Sequence, residues 1–83
     1  MKVQVRYFAS IREALGPGEL IDVPGACTLG ALRDRLIERG GAHAQALARS
    51  RALRGAIDQV MHSEDALLAE GSEVAFFPPV TGG

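Results

Sequence analysis

The chain has 83 residues, 47% of them hydrophobic and 23% charged, with a formal net charge of −1. That length sets one domain, whose folding buries only about 60–65% of the surface exposed by the unfolded chain. A second domain and a deep enzymatic pocket are therefore not expected. The basic residues are nearly all arginine and are spread along the chain. Nucleic acid is not an expected partner, because phosphate binding relies on clustered cations. No apolar run approaches the roughly 20 residues that cross a membrane, and Met1 to Phe8 lacks a signal-peptide pattern. Cys27 stands alone, which rules out an internal disulfide. The cytoplasm is the expected compartment.

Lys2 to Phe8 alternates, with Val3, Val5 and Tyr7 on one face, and reads as a half-buried strand. Ser10-Ile11-Arg12-Glu13 fits a capping box that opens a short helix, with Ile11 and Leu15 on one side. Gly16-Pro17 stops that helix. Leu20 to Val23 is a second strand, and Thr28 is a good N-cap for a longer helix. In that helix Leu29, Leu32, Leu36 and Ile37 form the apolar stripe, which leaves Arg33, Arg35, Glu38 and Arg39 to face water. Gly40-Gly41 ends it.

Ala42 to Arg51 is alanine-rich and reads as helix, and Gly55 to His62 reads as one strand. Ala66 to Glu70 is a connector, Gly71-Ser72 a turn, and Glu73 to Phe77 a final strand inside the sheet. The order implies an α+β fold, a mixed sheet packed against one main helix. Residues 1–77 form the domain and 78–83 an extended tail. Phe76 and Phe77 point to opposite sides of their strand. Val74 shares a face with Phe76, so Phe76 is expected inside. Phe77 then lies outside with Ala75 and Met61, as part of an apolar docking patch.

The tail Pro78-Pro79-Val80-Thr81-Gly82-Gly83 is the most informative stretch. Two prolines end the strand and hold the chain extended. Glycines at the end lack β-carbons, so a partner can approach the Gly83 carboxylate closely. A carboxylate is a poor electrophile, whereas an acyl-adenylate is a good one that a sulfur donor can convert to a thiocarboxylate. Elsewhere little chemistry is visible. His43 and His62 lack other ligands at metal spacing. Cys27 reads as a packed thiol. Gly16-Pro17-Gly18 and Gly40-Gly41 do not form a phosphate loop.

Three segments together resemble the small-subunit family of molybdopterin synthases: Tyr7 to Glu13, Thr28 to Arg33, and Glu73 to Gly83. The likeness spans essentially the whole chain and implies a β-grasp, ubiquitin-like fold. It implies that an E1-like adenylyltransferase, using ATP, activates Gly83, and that a sulfurtransferase then makes the thiocarboxylate. The tail would enter the large subunit and give sulfur to cyclic pyranopterin monophosphate, forming the dithiolene. The catalytic side chains would lie on the large subunit, in a heterotetramer of two small and two large subunits. This chain would bind no cofactor of its own. Gly83 and Gly82 are then the reacting end. Phe77, Met61, Arg12, Pro78, Pro79, Val80 and Thr81 meet the partners.

Related sequences often carry Asn where this one has Asp58, which puts a local hydrogen bond in question. Nothing is transferred onto Ala42 to Ala52. The same end chemistry would serve a carrier for thiazole, cysteine or tRNA thiolation. A ubiquitin-like binding module, joined to lysines or simply docking, is the reading from a different class.

Overall fold

A computed structural model describes residues 1–79. Its elements run β1 (Lys2–Tyr7), α1 (Ala9–Leu15), β2 (Gly18–Asp22), α2 (Leu29–Ile37), α3 (Gly41–Ala46), β3 (Arg54–Ile57), β4 (Val60–His62) and β5 (Glu73–Phe77). The strands form one five-stranded sheet in the order β2-β1-β5-β3-β4. β1 and β5 pair in parallel at its centre, with Val5 level with Val74 and Tyr7 with Phe76. The other pairings are antiparallel. One mixed sheet covered on one side by α2 is the β-grasp arrangement.

The core follows from the alternation and the helical stripe. Val3, Val5, Tyr7, Val74 and Phe76 project from the sheet to meet Leu29, Leu32 and Leu36 of α2, all of them buried. Thr28 caps α2 as its sequence suggests, its hydroxyl accepting the Ala31 N–H at 3.0 Å. Gly55 is a close-approach position: a β-carbon there would lie 2.6 Å from Leu29 Cδ2.

Four expectations are corrected. The Ser10–Glu13 capping box does not form, because α1 starts two residues earlier, behind an extended Phe8 with no side-chain cap. Phe8 is fixed by the sheet: its N–H donates to the Phe76 carbonyl at 3.2 Å, and its own carbonyl accepts from Ile11 and Arg12. The helix within Ala42 to Arg51 covers only Gly41–Ala46.

Gly55 to His62 is not one strand but a hairpin, turning at Asp58 and Gln59, whose φ values are 50° and 70°. Left-handed φ at both central residues is what a two-residue hairpin turn of type I′ requires. There the Asp58 N–H donates to the Glu73 carbonyl at 2.8 Å, while Asp58 Oδ1 accepts the Glu73 N–H at 2.9 Å. The bond that Asp58 put in question is made.

Arg33 is the fourth correction, for it is buried rather than solvated. Its Nε donates to the Leu47 carbonyl at 2.8 Å and its Nη2 to those of Ala48 (2.6 Å) and Arg51 (3.1 Å). Nη1 binds Glu64 at 2.9 Å. The guanidinium thus collects the carbonyls of the segment after α3, which explains why α3 goes no further.

A second polar cluster ties the helices to β2. The Glu19 carboxylate accepts from the Tyr7 hydroxyl at 2.9 Å, from His43 Nε2 at 3.1 Å and from Arg39. Burial pushes the Tyr7 hydroxyl well above its usual range, and the Glu19 charge adds to this. For Glu19 itself burial raises the pKa, but the bonds from Arg39, His43 and Tyr7 outweigh it, and the net direction is down. A depressed carboxylate contributes stability above its unfolded pKa and loses it as the pH falls through the folded value. Melting curves of the wild type and Glu19→Gln are therefore expected to differ most near neutral pH. They should converge below the ordinary carboxylate range, about pH 4. A gap that persists in acid would show that the Glu19 charge is not what stabilises.

Candidate functional site

The sheet face turned away from the helices has an unusual composition. Across it, Arg6, Ala75, Ala56 and Met61 form one row, with Arg54 and Phe77 level with each other in the next. Alanine at the two middle positions leaves a depression, because the flanking side chains are larger. Around it stand Phe8, Phe77, Met61 and the two prolines, with Gln59 at the hairpin end. The result is an open groove of about 630 Å³.

Phe8 is 41% and Met61 56% exposed. Phe77, Pro78 and Pro79 are half-buried. A small monomer seldom leaves large apolar side chains contiguous on its surface without a use for them.

The backbone explains how these residues meet. Phe76 faces the core, so Phe77 must face outward. Pro78 and Pro79 then carry the chain along the groove wall, where their missing N–H groups leave no ladder bond unmade. Ala9, also in the lining, takes φ 53°, which turns the chain sharply from β1 into α1. A left-handed non-glycine residue costs about 1–2 kcal/mol, so this turn is held by its surroundings.

The residues expected to meet partners thus divide. Phe77, Met61, Pro78 and Pro79 come together in one groove. Arg12 is exposed on α1, outside the groove lining, and its part in docking rests on the resemblance alone. Val80, Thr81, Gly82 and Gly83 lie outside the described residues.

Sequence reasoning missed Phe8, Ala9, Ala56 and Gln59. Phe8 did carry a signal: it continues the series Lys2, Gln4, Arg6 on the polar face, where an aromatic residue is out of place. Gln59 had none until Asp58-Gln59 was known to be a turn. The groove presents apolar surface and no cluster of acid, base and nucleophile. Chemically it suits holding an apolar protein surface.

The sequence profile described as the ThiS family matches residues 5–83. This chain belongs to the ThiS family. Within that family it is 38% identical over 81 residues to the molybdopterin synthase sulfur carrier subunit of Escherichia coli, covering 98% of this chain and 99% of the relative. Among solved structures it resembles subunit 1 of a protein assigned as molybdopterin converting factor in Pyrococcus furiosus. That pair has a TM-score of 0.81 and 27% identity, covering 96% and 99% of the two chains. Small archaeal modifier protein 1 of Haloferax volcanii is also similar, with a TM-score of 0.77 and 26% identity over 95% and 98% of the chains. The β-grasp architecture is thus shared from end to end with ubiquitin-like carriers.

Proposed function

We propose that this protein is the sulfur carrier subunit of a molybdopterin synthase. In this reading an E1-like adenylyltransferase binds ATP and joins AMP to the Gly83 carboxylate. A sulfurtransferase then displaces the AMP and leaves a thiocarboxylate. The large subunit receives the tail, and the sulfur passes to cyclic pyranopterin monophosphate to build the dithiolene. The acid and base groups belong to the large subunit, and two small subunits pair with two large ones. Gly82 and Gly83 supply a slim, unbranched end. Phe77, Met61, Pro78, Pro79, Val80, Thr81 and Arg12 meet the partner.

The observation that carries the reading is the apolar groove at the root of the tail. Its lining runs from Met61 through Phe77 to Pro79, the last residues before the tail, which supports a docking surface next to the proposed reacting end. A match that runs through Gly83 to a relative named as a sulfur carrier supports the chemistry at that end.

The test is an intact mass of the protein after incubation with ATP, the E1-like enzyme and a sulfur donor. A gain equal to sulfur minus oxygen, localised to Gly83, is the expected result. No change, beside a competent control carrier, would sink the reading. The likeness to an archaeal modifier protein favours a second reading, conjugation to lysines of other proteins. Isopeptide adducts without a thiocarboxylate would establish that one instead.

Docking has its own expected result. Met61→Asp places a charge in the groove, and losing a central apolar contact costs about 2 kcal/mol, or roughly thirtyfold in Kd. Because Met61 is largely exposed, stability should stay within about 0.5 kcal/mol. Calorimetric titration with the large subunit measures the first and thermal melting the second. Unchanged affinity would remove the groove from the interface.

A further inference from the structure

The nine basic side chains comprise eight arginines and a single lysine, Lys2. This matters because the proposed function makes the protein's own C-terminus an acylating agent. An amine attacks an acyl-adenylate readily, whereas a guanidinium stays protonated at any physiological pH and does not. Several arginines do no work that requires a guanidinium. Arg6 meets Glu73 through one nitrogen at 3.4 Å, between partners that are both well exposed. A lysine would serve there equally as a point charge. The terminal ammonium of Met1 is occupied, donating to Asp22 Oδ1 at 3.2 Å and to the Val23 carbonyl at 2.8 Å.

The position of Lys2 is as informative as its solitude. It opens β1, which runs parallel to β5 with Gln4 level with Glu73. Lys2 therefore lies at the sheet end where β5 begins, while the tail leaves from the other end. About six strand residues separate the two levels, roughly 20 Å at 3.3 Å per residue. Residues 78–83 span at most about 20–22 Å when fully extended. To reach its own Lys2 the tail would have to reverse at Pro78-Pro79 and lie straight back along the whole sheet.

We infer that Lys2, which carries the only side-chain amine of this sequence, is the residue through which an activated Gly83 is joined to this protein, and that the joining occurs between two copies. The inference rests on the proposed activation of Gly83 and adds the route by which that activation is lost. In the step, the neutral Lys2 Nζ attacks the Gly83 acyl carbon. The C–N bond forms, the bond from carbon to the AMP oxygen breaks, AMP leaves with the electron pair, and the amine gives one proton to solvent. No oxidant or reductant is needed. A surface built on arginine leaves the adenylate otherwise unspent until sulfur arrives.

The full chain is incubated with ATP and the E1-like enzyme, with and without a sulfur donor, and followed by intact mass and peptide mapping. Without the donor, the expected product is a slow covalent dimer, two chains less one water, linked Gly83 to Lys2, whose rate rises with protein concentration. Lys2→Arg should lose it. Arg54 is level with Phe77 at the tail exit, so Lys2→Arg/Arg54→Lys should form the amide faster than the wild type does. Dimer from Lys2→Arg at the wild-type rate would overturn the inference. So would thiocarboxylate formation with the donor but no Lys2 adduct without it, and that outcome would leave the carrier reading standing. Absence of both products would overturn the carrier reading and the inference together.

Discussion

Deleting Gly83, or adding one residue after it, is expected to abolish sulfur transfer while leaving the melting temperature where it was. Either change moves the reacting carbon by about 3.3–3.6 Å, the length of one extended residue. A misplacement of about 1 Å is enough to cost roughly a hundredfold in rate, so a whole residue should reduce dithiolene formation below detection. The fold has no reason to respond. Among the described residues the buried core ends at Phe76, and the last strand pairing is Arg54 with Phe77. Assaying each variant with the large subunit and pyranopterin, beside a thermal melt, separates the two effects. Normal turnover in either variant would overturn the terminal mechanism. Replacing Gly82 by a bulky residue tests the same mechanism from another side. It should slow transfer without lowering stability, and equal loss of both would contradict the steric argument.

Much of this architecture could be read from periodicity, and the failures share a cause. Val3, Val5 and Tyr7, the stripe of Leu29, Leu32 and Leu36, and the outward turn of Phe77 all follow from patterns of two and 3.6 residues. Such patterns report which way a side chain faces when burial is driven by apolar area. Arg33 breaks the rule because its burial is driven by hydrogen bonds to carbonyls 14 to 18 residues away. Nothing local announces those partners. Asp58-Gln59 hid its turn for a related reason. Neither residue is glycine, so the left-handed φ at both positions is held by the pairing of β3 with β4 and by the bonds of Asp58 to Glu73.

The groove was legible by halves. Phe77, Met61 and the prolines were expected there, from the strand parity and the resemblance. The depression depends on Ala56 meeting Ala75 across the sheet, and Met61 stands at its rim only because Gly55 to His62 folds as a hairpin that sets it opposite Ala56. Removing the hairpin from its place would therefore remove the groove, even with every lining residue unchanged. What holds the hairpin is on the opposite side of the sheet. Leu29 packs where Gly55 has no side chain. The Glu64 carbonyl, two residues beyond β4, accepts the Gly30 N–H at 2.8 Å. Its carboxylate is gripped by Arg33 and Arg49.

Arg33→Ala is accordingly expected to be strongly destabilising although it is remote from the tail. It strands the buried Leu47 carbonyl and takes the side-chain donor from those of Ala48 and Arg51, of which Ala48 keeps the Arg51 N–H at 2.9 Å. Each buried group stranded in this way costs about 1–3 kcal/mol. Glu64 is half-exposed and keeps Arg49, whose bonds hold its carboxyl below the usual range, so its share is small. A net loss of about 3 kcal/mol is a large part of the roughly 5–15 kcal/mol that stabilises a domain. Arg33→Lys is the sharper test, because a lysine restores the charge but has one donor nitrogen instead of the three that bind four acceptors here. Urea denaturation should show that Lys recovers less than half of the loss. If Lys restored wild-type stability, charge alone would explain Arg33, and the carbonyl-collecting role would be wrong. Amide exchange supplies the link to function. In Arg33→Lys the amides of β4 should exchange faster than those of β1 and β5, since loosening at Glu64 reaches the hairpin first. Affinity for the large subunit should then fall with β4 protection, even though Arg33 touches no residue of the groove rim.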